Sequence, residues 1–491
     1  MKSKKPAKLA MTIAVIAISA FVLFASCKGE TDSGTPQENT TVASGNTENM
    51  EEIKQPEPDI PVIDMKGKEF RILTSGWWTA TPMEIHDLSP EEILGEPLND
   101  AAYNRKIRIE DTYNCKIMQI PGAFSPYDDI TELQKLVRAG DPAYDITMLR
   151  GIYFNMLLTK NHFIDLNDLE YIDFDNPWWN RKCSDALRLG EKQIGISGNL
   201  SIVEKSLTGL VCFNKDIIRN YNLESPYDFV KNGEWTFDKL TEMAKSIARD
   251  LNGNGTMDPE DMWGITYQRD HVWNILNGCG VKMIEADADG FPQITLDAGD
   301  NLSKIQNIFI KLFDESYSAN GRRIGVPFYF EKVLFQIGWA IDVTNFRVYD
   351  FDFGIVPLPK YDKAQKEYLS NVYGLGVPLI CVPITNADME NTGLLMEVLS
   401  YEGQKSIVPI YYENILKTKS ARDSESEGMI DYIFENLQYE MGTLINFGNF
   451  TQDICEMADV VDTNIASFVE KNRPRLEKEI QTIMKTIEKN N

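Results

Sequence analysis

The sequence predicts an α/β protein of two lobes or domains, built on a mainly parallel sheet covered by helices. Length is the first reason: 491 residues exceed the roughly 250–300 over which a single core stops growing. With 43% hydrophobic and 10% aromatic residues, the chain can fill two cores. The second reason is order. From Phe70 short apolar runs alternate with helical patterns: "FRILT" (70–74), "LNDAAYNRKIRIEDTYN" (98–114), "CKIMQI" (115–120), "ITELQKLVRAG" (130–140) and "YDITML" (144–149). Strands separated by helices in this way return parallel to one another. No repeat of fixed period is present, which excludes a solenoid.

The first, third and fifth of these runs read as strands and the two between them as helices, the second helix ending at a capping Gly140. Further along, Leu240, Met243, Ala244, Ile247 and Ala248 recur at helical spacing behind Thr236, an N-cap residue type. Residues 351–359, "FDFGIVPLP", return to strand character and break on Pro357 and Pro359. The tail is helical, with Leu476, Ile480, Ile483, Met484 and Ile487 on one face.

The N-terminus is not a fold element. Residues 1–27 carry four lysines, an uncharged apolar run from Leu9 to Phe24, and small residues before Cys27. This is the pattern of an export signal, and the run is near the roughly 17-residue lower limit for a membrane span. Residues 28–61 are polar and poor in core-forming side chains, and read as a disordered tether. The six cysteines beyond Cys27 show no CxxC or CxxxC pair, and mostly buried free thiols are expected. A net charge of −25, becoming −29 once the four signal-segment lysines are removed, argues against nucleic acid or an anionic membrane surface as main partner.

Enzyme motifs are missing. His86, His162 and His271 stand in no metal-ligand spacing, and there is neither a GxSxG elbow nor a phosphate loop. Paired glycosidase carboxylates would meet in space and leave no motif among 74 acidic residues. The most specific local signal is "RDLNGNGTMDPEDMW" (249–263). Asp250, Asn252, Asn254, Thr256, Asp258 and Asp261 fall at the spacing of a calcium loop, with Gly255 at its sharp turn. Asp261 replaces the usual longer Glu, and Pro259 and Trp263 leave little room for an exiting helix. A structural Ca2+ of modest affinity is expected at Asp250, Asn252, Asn254, Thr256 and Asp261, against the alternative of an ion-free Asn-Gly turn. "DADGFPQ" (287–293) reads as a hairpin turn.

Aromatic side chains give the other signal. Trp77 and Trp78 follow the first strand, where a parallel sheet opens into a crevice. Tyr153, Trp178, Trp179, Trp273, Trp339 and Tyr373 sit in loops or near element ends, interleaved with Arg150, Asn155 and Asn274. Flat apolar faces beside polar groups suit a neutral, hydroxyl-rich ligand. The candidate ligand-binding set is Trp77, Trp78, Arg150, Tyr153, Trp273, Trp339 and Tyr373.

Five stretches together resemble the family 1 extracellular solute-binding proteins, the lipoprotein receptors of bacterial ABC-type sugar importers. They are "VRAGDPAYDITML" (137–149), "FIDLNDLEYIDFDNPWWN" (163–180), "VCFNKDIIRNYNLESPYDFVKNGEWTFDKLTEMAKSI" (211–247), "DFGIVPLPKYD" (352–362) and "YYENILKTKSARDSE" (411–425). Residues 24–27, Phe-Ala-Ser-Cys, similarly resemble a lipobox, with Phe24 where Leu is usual. The resemblance implies cleavage before Cys27, lipid (palmitate-type) attachment to its sulfur, and a two-lobed periplasmic-binding-protein-like α/β body, each lobe a mainly parallel sheet flanked by helices, with the ligand cleft between the lobes and a hinge that closes on ligand. It implies a lipid-anchored receptor on the extracellular face of the cell membrane, delivering a mono- or oligosaccharide to ABC permease subunits, and no enzyme. The segment "GEKQIGISGN" (190–199) departs from the family's "GKLY"-like stretch. The body is expected to span residues 62–491, with lobe 1 at about 66–170 plus 335–376 and lobe 2 at about 171–334 plus 377–491. Two other readings stay open from the residues: a secreted glycoside hydrolase, and a calcium-dependent surface adhesion protein.

Overall fold

A computed structural model of the chain describes residues 57–75, 87–123, 125–326, 331–346, 350–417 and 423–489. The signal segment, Cys27, most of the tether, Trp77 and Trp78 lie outside the described residues. Residues Pro56–Asn491 cluster as one unit that contains both lobes.

The first sheet is built as the sequence order requires. Strand β1 (Lys68–Thr74) pairs in parallel with β2 (Cys115–Pro121) across helix α1 (Pro97–Tyr113), and with β3 (Ile146–Arg150) across α2 (Pro126–Arg138). Phe70 and Ile72 on β1, Ile109 on α1 and Leu133 on α2 are buried, so the apolar face of each helix covers the sheet. Gly140 follows α2 with a φ of +72°, which suits glycine at a helix end.

The second sheet uses β4 (Gly209–Asn214), β5 (Trp263–Tyr267), β6 (Ser318–Asn320), β7 (Val333–Trp339) and β8 (Phe353–Val356), in the order β6-β5-β7-β4-β8. Its pairings are mixed: β5 runs parallel to both β6 and β7, whereas β4 runs antiparallel to both β7 and β8. Helix α3 (Phe237–Ile247) covers it, capped by the Thr236 hydroxyl, which accepts from the Lys239 N–H at 3.2 Å. Helix α4 (Val272–Gly278) follows β5, and α5 (Ala340–Phe346) follows β7.

Chain crossings correct the expected lobe boundaries. Strands β7 and β8 hydrogen-bond to β4 and β5, so residues 333–356 belong to the second lobe and not the first. Strand β10 (Pro378–Cys381) pairs antiparallel with β3 and closes the first sheet, so it belongs to lobe 1. The sequence shows where strands are but not with which edge they pair, because antiparallel addition leaves no periodic mark. The crossovers are therefore residues 198–208, leading into β4, and 357–377, leading out of β8. Within the second crossover β9 (Ser370–Asn371) pairs in parallel with β11 (Leu437–Gln438).

One buried cation ties the first crossover to lobe 1. Arg105 of α1 is fully buried; its guanidinium donates to the carbonyls of Leu200 (2.9 Å), Leu399 (3.4 Å), Asp87 (2.6 Å) and Leu88 (3.2 Å). Leu399 lies on helix α6 (Met389–Pro409), which packs along α1. Burial pulls the Arg105 pKa down to about 10, partly offset by the nearby Asp87 carboxylate. At the same junction Gly403 of α6 passes so close to the crossover that a Cβ there would sit 1.8 Å from the Asn199 carbonyl oxygen.

Trp178 and Trp179 are in the core, not facing a ligand. Both indole N–H groups donate to the Glu397 carboxylate, at 2.9 and 2.6 Å, and Asn176 adds a third donor at 2.8 Å. Burial raises the Glu397 pKa, and the three donors work against that rise. The six cysteines of the body are buried and unpaired. Residues 287–291 form the turn between short antiparallel strands Ile284–Ala286 and Pro292–Ile294. Helix α7 (Phe450–Val460) and the tail helix α8 (Ile465–Glu488) complete the body, the latter burying Leu476, Ile480, Ile483, Met484 and Ile487. Among the described residues no helix is long and apolar enough to cross a membrane.

Replacing Arg105 by Met keeps the volume but removes the donors to four carbonyls and the cation beside the Asp87 carboxylate. We expect Arg105→Met to lower unfolding free energy by about 3 kcal/mol or more in a denaturant titration.

Candidate functional site

The carboxyl ends of the parallel strands in the two sheets are where an α/β crevice forms. From lobe 1, β3 delivers Arg150, and the single turn Gly151–Tyr153 that follows delivers Tyr153. That turn is pressed against the second crossover: the Gly151 N–H donates to the Val377 carbonyl at 3.2 Å. A Cβ on Gly151 would stand 2.5 Å from the Gly374 oxygen and 2.6 Å from that of Leu444. The crossover itself delivers Tyr373, whose N–H donates to Leu207 in the other crossover at 3.1 Å.

From lobe 2, β7 ends in Trp339. Its ring lies 4.7 Å from that of Tyr373 at an interplanar angle of 31°, and 4.4 Å from the His271 ring at 87°. The Trp339 backbone N–H is held at 2.8 Å by Asp342 of α5, whose pKa burial raises to about 6. The Trp339 indole nitrogen is buried and has no hydrogen-bond partner among the described residues. On the lobe 1 side Tyr153 meets Tyr127 edge to face at 5.8 Å.

The turn after β5 supplies polar groups that sequence reasoning missed. Arg269 Nε donates to Asp270 Oδ1 at 3.0 Å, and its Nη1 lies 3.8 Å from both Glu456 and Asp459. Burial disfavours the Arg269 charge, but Asp270 and Asp459 outweigh it and the pKa rises. The Tyr373 hydroxyl hydrogen-bonds to Asp270, and burial beside that carboxylate pushes the phenol pKa well up. Arg150 is buried near Asp270, Tyr153 and Tyr373; burial lowers its pKa and these groups partly restore it. Asn320, at the end of β6, donates to Asp459 at 3.0 Å.

His271 is buried, and its Nδ1 accepts from the Gln268 N–H at 3.0 Å, which places the proton of the neutral ring on Nε2. Burial pulls its pKa down to about 3. A lone histidine outside any ligand spacing gave no motif. The usable signal was its position four residues beyond a strand end in "GITYQRDHVW".

A chain of buried asparagines joins these pieces. Asn277 donates to Asn371 at 2.7 Å, Asn371 to Asn274 at 3.0 Å, and Asn274 to the Gly338 carbonyl at 3.1 Å. The hinge strand β9, which leads to Tyr373, is thereby bonded to the peptide that presents Trp339.

The structure thus gathers Arg150, Tyr153, Trp339 and Tyr373. Trp273 is a correction: it is 1% exposed, on the inner face of α4, and its indole donates to the Thr451 carbonyl at 3.1 Å. Aromatic size and a position near a strand end do not distinguish core from cleft.

The Asp/Asn-rich loop lies elsewhere in lobe 2. An antiparallel bridge between Arg249 and Met262 closes its neck, and it leads into β5 with no exiting helix. Asp250 accepts from the N–H groups of Gly253 (2.6 Å) and Gly255 (2.8 Å); Asn252 and Asn254 turn their amide nitrogens to Asp258 at 3.0 and 2.7 Å. Thr256 donates both N–H and hydroxyl to Asn254 at 2.8 Å. Asp261 is buried, its two oxygens accepting from the Leu251 and Asp258 N–H groups. Among the described residues no three His, Cys, Asp or Glu side chains converge as a metal site. The Asn252 and Asn254 side-chain oxygens accept from the Asn254 and Thr256 N–H groups, at 3.0 and 2.8 Å.

This is the fold of two-lobed solute-binding proteins. Three solved structures show the likeness. An ABC substrate-binding protein from Listeria monocytogenes in complex with cycloalternan aligns with a TM-score of 0.52 at 14% identity, covering 86% of this chain and 99% of that one. The maltose-binding periplasmic protein of the same organism, in complex with maltose, gives 0.52 at 14%, covering 86% and 99%. An ABC transporter solute-binding protein from Thermotoga lettingae bound with α-D-tagatose gives 0.51 at 13%, covering 85% and 100%. No protein-family model matches the chain, and no curated protein matches in sequence.

Because the folded His271 pKa lies below its unfolded value near 6.5, the unfolded chain takes up a proton that the native state refuses. Its contribution is intact above about pH 6.5 and is lost as pH falls toward 3. Thermal melts at descending pH should therefore show a steeper loss of Tm for the wild type than for His271→Gln measured against its own neutral-pH value.

Proposed function

We propose that the protein is a lipid-anchored extracellular receptor that captures a carbohydrate between its lobes and delivers it to an ABC importer permease, without breaking a bond. The observation that carries this is the Trp339–Tyr373–His271 aromatic cluster with a spare indole donor, at the carboxyl ends of strands in a fold shared with sugar-bound binding proteins. Trp339 offers a flat face for the C–H side of a sugar ring. Its indole N–H and the Asp270 and Asp459 carboxylates offer a donor and acceptors for hydroxyls. Arg150 and Tyr153 come from lobe 1, Tyr373 from a crossover and Trp339 from lobe 2, so a ligand touching all of them favours the closed arrangement. The export-type leader, Cys27 and the polar tether support anchoring at the extracellular face of the cell membrane.

A calorimetric screen of the purified protein against mono- and oligosaccharides tests the assignment, and silence across all sugars would sink it. For the sugar that binds, Trp339→Ala should weaken Kd about tenfold or more.

Calcium belongs to the same proposal as a brace. Asp250, Asn252, Asn254, Thr256 and Asp261 would hold it, and it would supply charge neutralisation between the end of α3 and the start of β5. Asp250→Ala should lower the Tm in millimolar calcium and remove the Tm difference between calcium and chelator. Ligand Kd should stay within a few-fold; collapse of affinity with the fold intact would move the loop into the binding site.

A further inference from the structure

Resting on the carbohydrate-receptor reading, we propose that the cleft takes neutral or amine-bearing glycans and rejects anionic ones such as uronates. The argument is one of charge on the lobe 2 wall. Asp270, Glu456 and Asp459 surround a single arginine, Arg269, at 3.0, 3.8 and 3.8 Å. The arginine side chain is 20% exposed, whereas the three carboxylates are 27%, 52% and 29% exposed, so it is the acids that reach solvent. With three carboxylates about one guanidinium, the wall keeps a surplus of negative charge and its cation is already engaged.

The other cations of the region do not reverse this balance. Arg150 is buried in the field of Asp270 and beside two phenols. Of the arginines that follow β6, Arg323 pairs with Glu315 at 2.7 Å, and Arg322 is exposed to water, where its charge is screened.

Hydrogen-bond chemistry points the same way. Carboxylates only accept, so the wall calls for a ligand rich in donors, which hydroxyls and ammonium groups are and a carboxylate is not. An anionic group placed here would meet like charge from three carboxylates gathered about one guanidinium. Rejection by an unpaired repulsive contact is a direct route to specificity.

The test pairs glycans that differ only in charge: glucose against glucuronate tetramers, galactose against galacturonate tetramers, and chitosan tetramers as the cationic arm, titrated into the intact protein by calorimetry. For whichever backbone binds, the uronate should bind about 100-fold more weakly than its neutral partner. Asp270→Asn combined with Asp459→Asn should shrink that ratio about tenfold. A uronate that binds as tightly as its neutral partner overturns this inference while leaving the carbohydrate reading standing. Discrimination that survives the double substitution unchanged also overturns it, because the selectivity would then arise elsewhere. Silence from every tetramer and from the broader sugar screen overturns both.

Discussion

The architecture hangs on a guanidinium that never meets water. Arg105 collects four carbonyls from three stretches of chain: the segment before α1, the first crossover, and α6. An arginine buried this deeply is tolerated only because each acceptor would otherwise be unsatisfied too. The arrangement is therefore mutual, and loss of one partner exposes the others. Because Leu200 stands on the chain that leaves lobe 1 for β4, this bond set fixes the point from which the second lobe is hung.

The cleft follows from that suspension. No single element makes it: Arg150 and Tyr153 end a strand of one sheet, Trp339 ends a strand of the other, and Tyr373 rides the crossover between them. The asparagine chain from Asn277 through Asn371 and Asn274 to Gly338 makes the crossover and the Trp339 peptide one hydrogen-bonded piece. The three amides donate in series along this chain, which fixes the relative placement of the pieces they join. The aromatic contact between Trp339 and Tyr373 is thus supported from behind by backbone and amide groups.

Much of lobe 1 was legible because its signals are local. The run "FRILT", the helix up to Asn114 and the strand from Cys115 need only period and turn chemistry, and they fell within a few residues of the observed elements. The Thr236 cap and the 287–291 hairpin turn were readable for the same reason. Lobe membership of β7, β8 and β10 was not, because it depends on which strand edge accepts a partner far away in sequence. The burial of Trp273, taken as a ligand residue, was equally hidden, since it depends on a distant acceptor, the Thr451 carbonyl. Asp270 and Asp459 were lost among 74 acidic residues, and only three-dimensional proximity to Arg269 separates them from the solvated majority.

Gly403 bears on movement. In an isolated helix a glycine is a weak point, costing about 1 kcal/mol against alanine. Here the missing side chain lets the Asn199 carbonyl rest directly on the helix barrel. The crossover there rests on bare backbone, with the Arg105 guanidinium beside the contact. A methyl group at this position would act as a wedge driven under one end of the hinge, tilting the lobes' resting equilibrium from a place that touches neither ligand nor cleft.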